Sequence, residues 1–122
     1  MALENSLTPA DNKKLVGMIA HPAVKVYYDF DNMFNFGHVG KEVPGARLLG
    51  RDRICAVHVK NTDKPLEEPG RVDWKAALRA LTEIEYGGWL VFESNHASHA
   101  RCVADTEKNI AFIRKHYQPP LG

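Results

Sequence analysis

The sequence of 122 residues has few cysteines, no long apolar run and almost no excess of one charge. Its two cysteines, Cys55 and Cys102, lie in apolar stretches and form no CxxC pair, so we interpret them as buried free thiols. No run approaches the roughly 18 apolar residues that a membrane helix needs. The first residues lack the basic and apolar regions of a secretory signal. We therefore expect a cytoplasmic protein with no membrane partner.

The charge balance disfavours a polyanionic partner. Sixteen Lys and Arg stand against fifteen Asp and Glu, a formal net charge of +1. No basic stripe interleaved with aromatics, of the kind that nucleic acid requires, is present. We expect no nucleic-acid partner. With 44% hydrophobic residues and no linker-like segment, residues 1–122 are predicted to form a single domain.

Apolar runs rich in β-branched and aromatic residues predict buried strands. These runs cover residues 24–30, 54–59 and 89–93, and residues 2–4 would be the end of a further strand. Charged and Pro-rich residues 61–70 predict a loop. Because helical stretches alternate with these strands, we expect parallel β/α units with right-handed crossovers, in a (βα)4 arrangement.

Capping residues mark the predicted helices. Thr8 and Pro9 begin the first, which should end near residue 21, and a shorter helix is predicted over residues 46–52. Asp73 and Ser98 each cap one of the last two predicted helices. Gly87-Gly88 stops the helix that Asp73 begins. Apolar spacing predicts the buried faces of the first and last helices, namely Leu15, Met18 and Ile19, and Cys102, Thr106, Ile110, Ile113 and Tyr117.

Polar residues stand at or near the carboxyl ends of all four strands, where functional side chains gather in parallel α/β proteins. They are Glu4, Asp29, His58 and Glu93. Side-chain alternation supports a common inward direction. If these four point inward, apolar neighbours on the strands point towards the helices, namely Val24, Val26 and Tyr28, Cys55, Val57 and Val59, and Leu90 and Phe92.

Three carboxylates and one imidazole on one centre would repel each other without a cation, so the pattern favours a divalent metal site. Oxygen-rich ligation with one nitrogen suits Mn, Mg or Co ahead of Zn, and the lack of thiolate ligands argues against a structural zinc. Such a metal polarises a carbonyl or hydroxyl, while carboxylates transfer the proton alpha to the carbonyl.

Five ordered stretches resemble one known family. The stretches ALEN, VYYDFDN, AVHVKN, GRVDW and YGGWLVFE resemble the xylose-isomerase-like barrels, which include sugar-phosphate isomerases, ketose 3-epimerases and hydroxypyruvate isomerases. The resemblance implies the C-terminal four-strand half of a TIM (β/α)8 barrel. It also implies that Glu4, Asp29, His58 and Glu93 bind the metal and that Glu4 and Glu93 are the acid/base pair.

The same resemblance implies substrate-binding residues. Asn32, three residues after Asp29, would contact substrate or orient a ligand, and Lys60 or Lys64 would meet a substrate phosphate or hydroxyl. The implied function is isomerisation or epimerisation of a small keto-sugar or sugar phosphate. An apurinic-site endonuclease is a weaker alternative, because Asn32 replaces an expected histidine and Val72-Asp73-Trp74 contains no Asp-x-His pair.

A whole barrel needs about 250 residues, so we expect the second half to come from elsewhere. Two open sheet edges and an apolar inner face would invite pairing with another chain. The expected partner is a second copy, in a homodimer or higher homo-oligomer, or a separate N-terminal half-barrel. An alternative function is a catalytically inactive half-barrel that acts as an assembly module.

Overall fold

A single parallel sheet organises the protein, whose computed structural model describes residues 1–122. The strands are β1 (Ala2–Leu3), β2 (Lys25–Asp29), β3 (Ile54–Val59) and β4 (Trp89–Phe92), and they pair in chain order. All three pairings are parallel. The predicted α/β class and (βα)4 arrangement are thereby confirmed, and the sheet has the architecture expected of half of a TIM barrel.

Five helices connect and follow the strands: α1 (Pro9–Ile19), α2 (Asn32–Asn35), α3 (Glu42–Leu49), α4 (Trp74–Glu83) and α5 (His99–His116). The three predicted N-caps are present. Thr8 Oγ1, Asp73 Oδ1 and Ser98 Oγ each accept a hydrogen bond from the backbone N–H three residues later, at 3.0–3.1 Å. None of these helices is both long and apolar enough to span a membrane.

The helix predicted over residues 46–52 was misplaced, and α2 was not predicted. Helix α3 begins at Glu42 and includes Pro44 in its first turn, where a missing N–H breaks no intrahelical hydrogen bond. It ends at Leu49 and is followed by Gly50, whose φ of 70° lies in the region that favours glycine. The four-residue α2 has no apolar period long enough to recognise.

The core lies between the sheet and its helices. Val26 and Tyr28 of β2 and Val57 and Val59 of β3 are buried there. Helix α4 supplies the opposite wall with Trp74, Ala77, Leu78 and Leu81. These strand residues are those that alternation predicted to face the helices. The other face of the sheet therefore carries the predicted site residues.

Strict alternation fails at one position of β3. Val26 pairs with Ile54 and Tyr27 pairs with Ala56, so Cys55 is an extra residue in the ladder. Ile54 consequently joins the core, and Cys55 Sγ lies 3.4 Å from the Val26 carbonyl oxygen. Cys55 and Cys102 are free, but both are half-buried rather than buried as predicted.

The predicted face of α1 was wrong at Met18 and Ile19, and that of α5 was wrong at Ile110, although Ile113 and Tyr117 pack against the core as expected. Met18 is 83% exposed and Ile19 is exposed as well, whereas α1 buries Pro9 and Asn12. In α5 the buried residues are Asp105 and Asn109, and Ile110 is exposed. Asn109 is tolerated inside because its Oδ1 accepts a hydrogen bond from the Leu66 N–H at 2.8 Å. Apolar periodicity cannot detect a buried polar residue whose hydrogen bonds are made with a distant segment of the chain.

Candidate metal centre

The carboxyl ends of the four strands bring together the four predicted residues. One ligand atom from each of Glu4, Asp29, His58 and Glu93 lies within 4.8 Å of the others. Strand register explains the placement, because Asp29 pairs with His58. The Glu93 N–H continues the β3–β4 ladder by donating to the Val59 carbonyl at 3.1 Å. Glu4 directly follows β1.

The imidazole of His58 faces all three carboxylates. Its Nδ1 lies 3.0 Å from Glu93 Oε2, 3.3 Å from Asp29 Oδ2 and 3.4 Å from Glu4 Oε1. This atom is buried and has no hydrogen-bond partner. Ligands about 2.1 Å from a common ion are separated by about 3.0 Å at right angles and about 3.4 Å at tetrahedral angles. The donor set therefore fits one divalent cation.

Asp29 is held so that one oxygen is directed at the cluster. Its Oδ1 accepts hydrogen bonds from the backbone N–H groups of Asp31 and Asn32, both at 3.0 Å. Its Oδ2 faces His58 Nδ1 and Lys60 Nζ, at 3.3 and 2.8 Å. Asp29 and His58 are buried, whereas Glu4 and Glu93 are exposed. The site thus combines a buried inner pair with two solvent-exposed glutamates.

Asn32 and Lys60, both predicted to bind substrate, lie against the four residues. Asn32 Nδ2 donates to Glu4 Oε1 at 3.3 Å, which orients that carboxylate. Lys60 Nζ lies 2.8 Å from Asp29 Oδ2, 3.4 Å from Glu93 Oε2 and 3.2 Å from Asn32 Oδ1. Burial by itself lowers the pKa of Lys60, but the hydrogen bond to Asp29 and the neighbouring carboxylates raise that pKa above its ordinary value.

Lys64, the other predicted lysine, is not brought to the site. It is exposed in the loop after β3 and makes no hydrogen bond or ion pair with the four residues. Two histidines of the loops, His38 and His96, are likewise engaged elsewhere. His38 Nε2 lies 2.9 Å from the Ser6 carbonyl oxygen, and His96 Nδ1 lies 3.3 Å from Asp105 Oδ2.

Tyr27 is a site residue that sequence reasoning missed. Its ring lies on the imidazole of His58, with centroids 4.0 Å apart and planes inclined by 35°. Burial raises the pKa of Tyr27, and the carboxylates of Glu4 and Glu93 raise it further. The signal was available, because Tyr27 is two residues before Asp29 and alternation puts both on one face. Tyr27 restricts the orientations open to the imidazole.

A polar groove adjoins the four residues on the side of the β3 and β4 loops. Arg71, in the GRVDW stretch, forms a bidentate ion pair with the buried Asp31 at 2.7 and 3.0 Å. The indole N–H of Trp74 donates to the Lys60 carbonyl at 2.8 Å and so fixes the backbone beneath the groove. The groove is lined by Asp31, Lys60, Thr62, Arg71, Glu93, Ser94 and Asn95.

Comparisons with known proteins agree with this architecture. The model of a family described as "Xylose isomerase-like TIM barrel" matches residues 1–116. A protein of Escherichia coli (strain K12) named "Putative L-ribulose-5-phosphate 3-epimerase SgbU" is 33% identical over an alignment of 93 residues, and the match covers 66% of this chain. The match covers 31% of that protein, so the chain spans about a third of the length of this relative.

Proposed function

Because the chain belongs to the xylose isomerase-like TIM barrel family, we propose that it carries the metal-binding half of an active site that isomerises or epimerises a small keto-sugar or sugar phosphate. The observation that carries this proposal is the cluster of Glu4, Asp29, His58 and Glu93 at the strand ends, with the buried His58 Nδ1 lacking any hydrogen-bond partner. The E. coli relative named as an epimerase supports the same reaction class.

The four residues would hold one divalent cation, with Mn, Mg or Co preferred to Zn. When bound, this cation would polarise the substrate carbonyl and lower the cost of negative charge on the neighbouring oxygens. Glu4 and Glu93 transfer protons in this proposal. They follow the two outermost strands of the sheet, so they approach the cluster from opposite sides. One removes the proton alpha to the carbonyl and the other returns it, which suits inversion at a stereocentre.

Substrate oxygens would be met by the polar side chains beside the carboxylates. Asn32 and Lys60 lie within hydrogen-bonding distance of the cluster and so would approach a hydroxyl or phosphate at the reacting carbon. Lys64 lies outside the lining of the polar groove. We therefore assign the lysine role to Lys60. Thr62, Ser94 and Asn95 offer further polar groups along the same groove.

The proposed test measures metal binding and proton exchange separately. Calorimetric titration with Mn²⁺ is expected to show one site per chain, and binding should be lost in His58→Ala. In Glu93→Gln it should be greatly weakened. Incubation of the assembled, metal-loaded protein with a ketopentose 5-phosphate in D₂O should place deuterium on the carbon next to the carbonyl. Absence of Mn²⁺ binding by the wild-type chain would contradict the metal-dependent function.

One observation favours the second candidate, an inactive half-barrel that serves assembly. The inner face of the sheet presents Trp89, which is 77% exposed, next to the exposed Val91. Such a surface suits another chain whether or not chemistry occurs. Metal binding without any deuterium incorporation in the assembled protein would favour this candidate. The endonuclease alternative has less support, because only one group of three or more potential ligand residues is present.

We also propose that another half-barrel completes the site, either a second copy or a separate N-terminal half. Strands β1 and β4 each have one edge without a partner, and the inner face is open beside them. Size exclusion with light scattering at micromolar concentration should give a dimer or larger oligomer if the partner is a second copy. Trp89→Ser should weaken that association, whereas Met18→Ser, on the outer helix α1, should not. A stable monomer would rule out the second copy.

A further inference from the structure

We propose that Lys60 is an internal cation that holds the carboxylates of the metal site in the absence of metal, and that a divalent ion must displace its ammonium group to bind. The inference rests on the proposed function, since it assumes that the four strand-end residues take up a metal. It adds a role for a residue outside that set. Lys60 would lower the affinity for metal and, once displaced, would become available to substrate.

The ammonium group and His58 Nδ1 face the same two oxygens. Asp29 Oδ2 lies 2.8 Å from Lys60 Nζ and 3.3 Å from His58 Nδ1. Glu93 Oε2 lies 3.4 Å from Lys60 Nζ and 3.0 Å from His58 Nδ1. A divalent ion bound between the imidazole and these oxygens would therefore meet a positive charge already attached to them. Two cations on shared oxygens repel each other, so their binding is coupled unfavourably.

The repulsion is poorly screened at this position. The side chain of Asp29 is only 3% exposed and that of Lys60 only 13%. Charges removed from water interact more strongly than charges on the surface. Lys60 also neutralises part of a cluster of three carboxylates, which would otherwise destabilise the protein without metal. The lysine thus both stabilises the metal-free site and opposes its loading.

A displaced ammonium group has a short route to the substrate groove. The backbone of Lys60 is held by the Trp74 indole N–H, so movement is confined to the flexible side chain. Asn32 Oδ1, 3.2 Å from Nζ, is already a partner that is not one of the four strand-end ligands. Thr62, Ser94 and Asn95 line the groove beyond it. Metal loading would therefore move Lys60 from a ligand carboxylate to a position where it meets a substrate phosphate or hydroxyl.

The first test compares Mn²⁺ affinities of the full chain by calorimetry at one pH and ionic strength. Lys60→Met should bind Mn²⁺ about 10- to 100-fold more tightly than the wild type, the range expected for loss of one or two charge-assisted hydrogen bonds to the competing cation. Lys64→Met, which removes an exposed lysine of the same stretch, should leave the affinity unchanged. Lys60→Arg keeps the charge and should not tighten binding.

The outcomes separate the inference from the proposed function. Wild-type binding with equal or weaker binding by Lys60→Met would overturn the inference, because Lys60 would then support the ligands, and would leave the metal site standing. Absence of Mn²⁺ binding by both proteins would overturn both ideas. Tighter Mn²⁺ binding by Lys60→Met than by the wild type, without tightening in Lys64→Met or Lys60→Arg, supports the inference.

The second test uses the wild-type chain and so does not depend on the folding of a variant. Brief acetylation followed by mass spectrometry measures how accessible each lysine amine is. Addition of Mn²⁺ should raise labelling of Lys60 several-fold and leave labelling of Lys64 unchanged, and the rise should be absent in His58→Ala. Equal or lower labelling of Lys60 with Mn²⁺ would show that the ammonium group stays on the carboxylates, which overturns the inference.

Discussion

The two faces of the sheet differ in what covers them. On the face towards the helices, Val57 and Val59 are 0% exposed and pack among side chains of α4. On the other face, Trp89 is 77% exposed, and polar groups gather at the carboxyl end. Burial of apolar area supplies most of the stability of a domain. One face therefore stabilises the chain, and the other presents groups for binding without being needed for the core.

The charged groups on the outer helices and those at the strand ends differ in whether their charges are balanced. On the outer helices, Arg47 Nε and Glu83 Oε2 form an exposed ion pair at 2.7 Å, with both groups satisfied. At the strand ends, three carboxylates surround a histidine nitrogen that has no hydrogen-bond partner. Exposed pairs contribute little to stability, whereas an unbalanced cluster of like charges has to be offset by a cation. This excess of negative charge distinguishes the strand-end cluster, as a candidate binding site, from the balanced ion pair on the outer helices.

The largest expected effect comes from the helix-facing side. Leu78→Ala removes a fully buried side chain from the core, so the free energy of unfolding in urea should fall by about 2–5 kcal/mol. Mn²⁺ affinity of the folded variant should stay at the wild-type value, because the four ligand residues lie on the other face. Arg79→Ala, an exposed neighbour, serves as the control and should change neither quantity. A Leu78→Ala protein that folds but binds Mn²⁺ weakly would contradict the independence of the metal site from the helix-facing core.

A smaller effect is expected from a substitution beside the four strand-end residues. Asn32→Ala removes the hydrogen bond that orients Glu4, so Mn²⁺ affinity should fall about 10- to 100-fold, as is usual for residues that position metal ligands. The unfolding free energy should change by no more than about 0.5 kcal/mol, because Asn32 is not part of the core. Asn95→Ala alters the same groove without touching the ligands and should retain wild-type affinity. An equal loss in Asn95→Ala would argue against a specific role for Asn32.

The smallest effect is expected at the outer ion pair. The hydrogen bond from Arg47 lowers the pKa of Glu83. A carboxyl group with a lowered pKa in the folded state contributes stability at neutral pH and loses that contribution as the pH falls through this pKa. Glu83→Gln should therefore be slightly less stable than the wild type at pH 7, and the difference should shrink at acid pH, as the pH falls below about 4.3, the ordinary pKa of a glutamate. Urea unfolding at both pH values tests this, and a difference independent of pH would contradict it.

Much of the fold was predictable because local chemistry agrees with the final structure. Residues 54–59 were predicted as a strand and form β3 with the same bounds, and Thr8, Asp73 and Ser98 were identified as N-caps. Each of these signals depends on residues within a few positions of each other. The start of α3, the extra residue at Cys55 and the buried polar face of α5 were not predicted. They depend on which distant segment packs against or pairs with the element.

The candidate site shows the same division. Alternation along each strand indicated that Asp29, His58 and Glu93 share an inward face, and resemblance to the family supplied their role as metal ligands. Alternation also applies to Tyr27 and Lys60, each two residues from a predicted ligand, but it does not say what they touch. The contact of Tyr27 with the imidazole and the ion pair of Lys60 with Asp29 emerge only from the structure.

The order of the four strands, the starts of α1, α4 and α5 and the identity of the four strand-end residues could be read from the sequence alone. These follow from periodicity, capping and composition, which act over short distances along the chain. The contact of Lys60 with the oxygens of Asp29 and Glu93, which Lys64 does not make, follows from the folded arrangement of the strands. The register of β2, β3 and β4 sets the separations of those side chains, and register results from packing between segments about 30 residues apart.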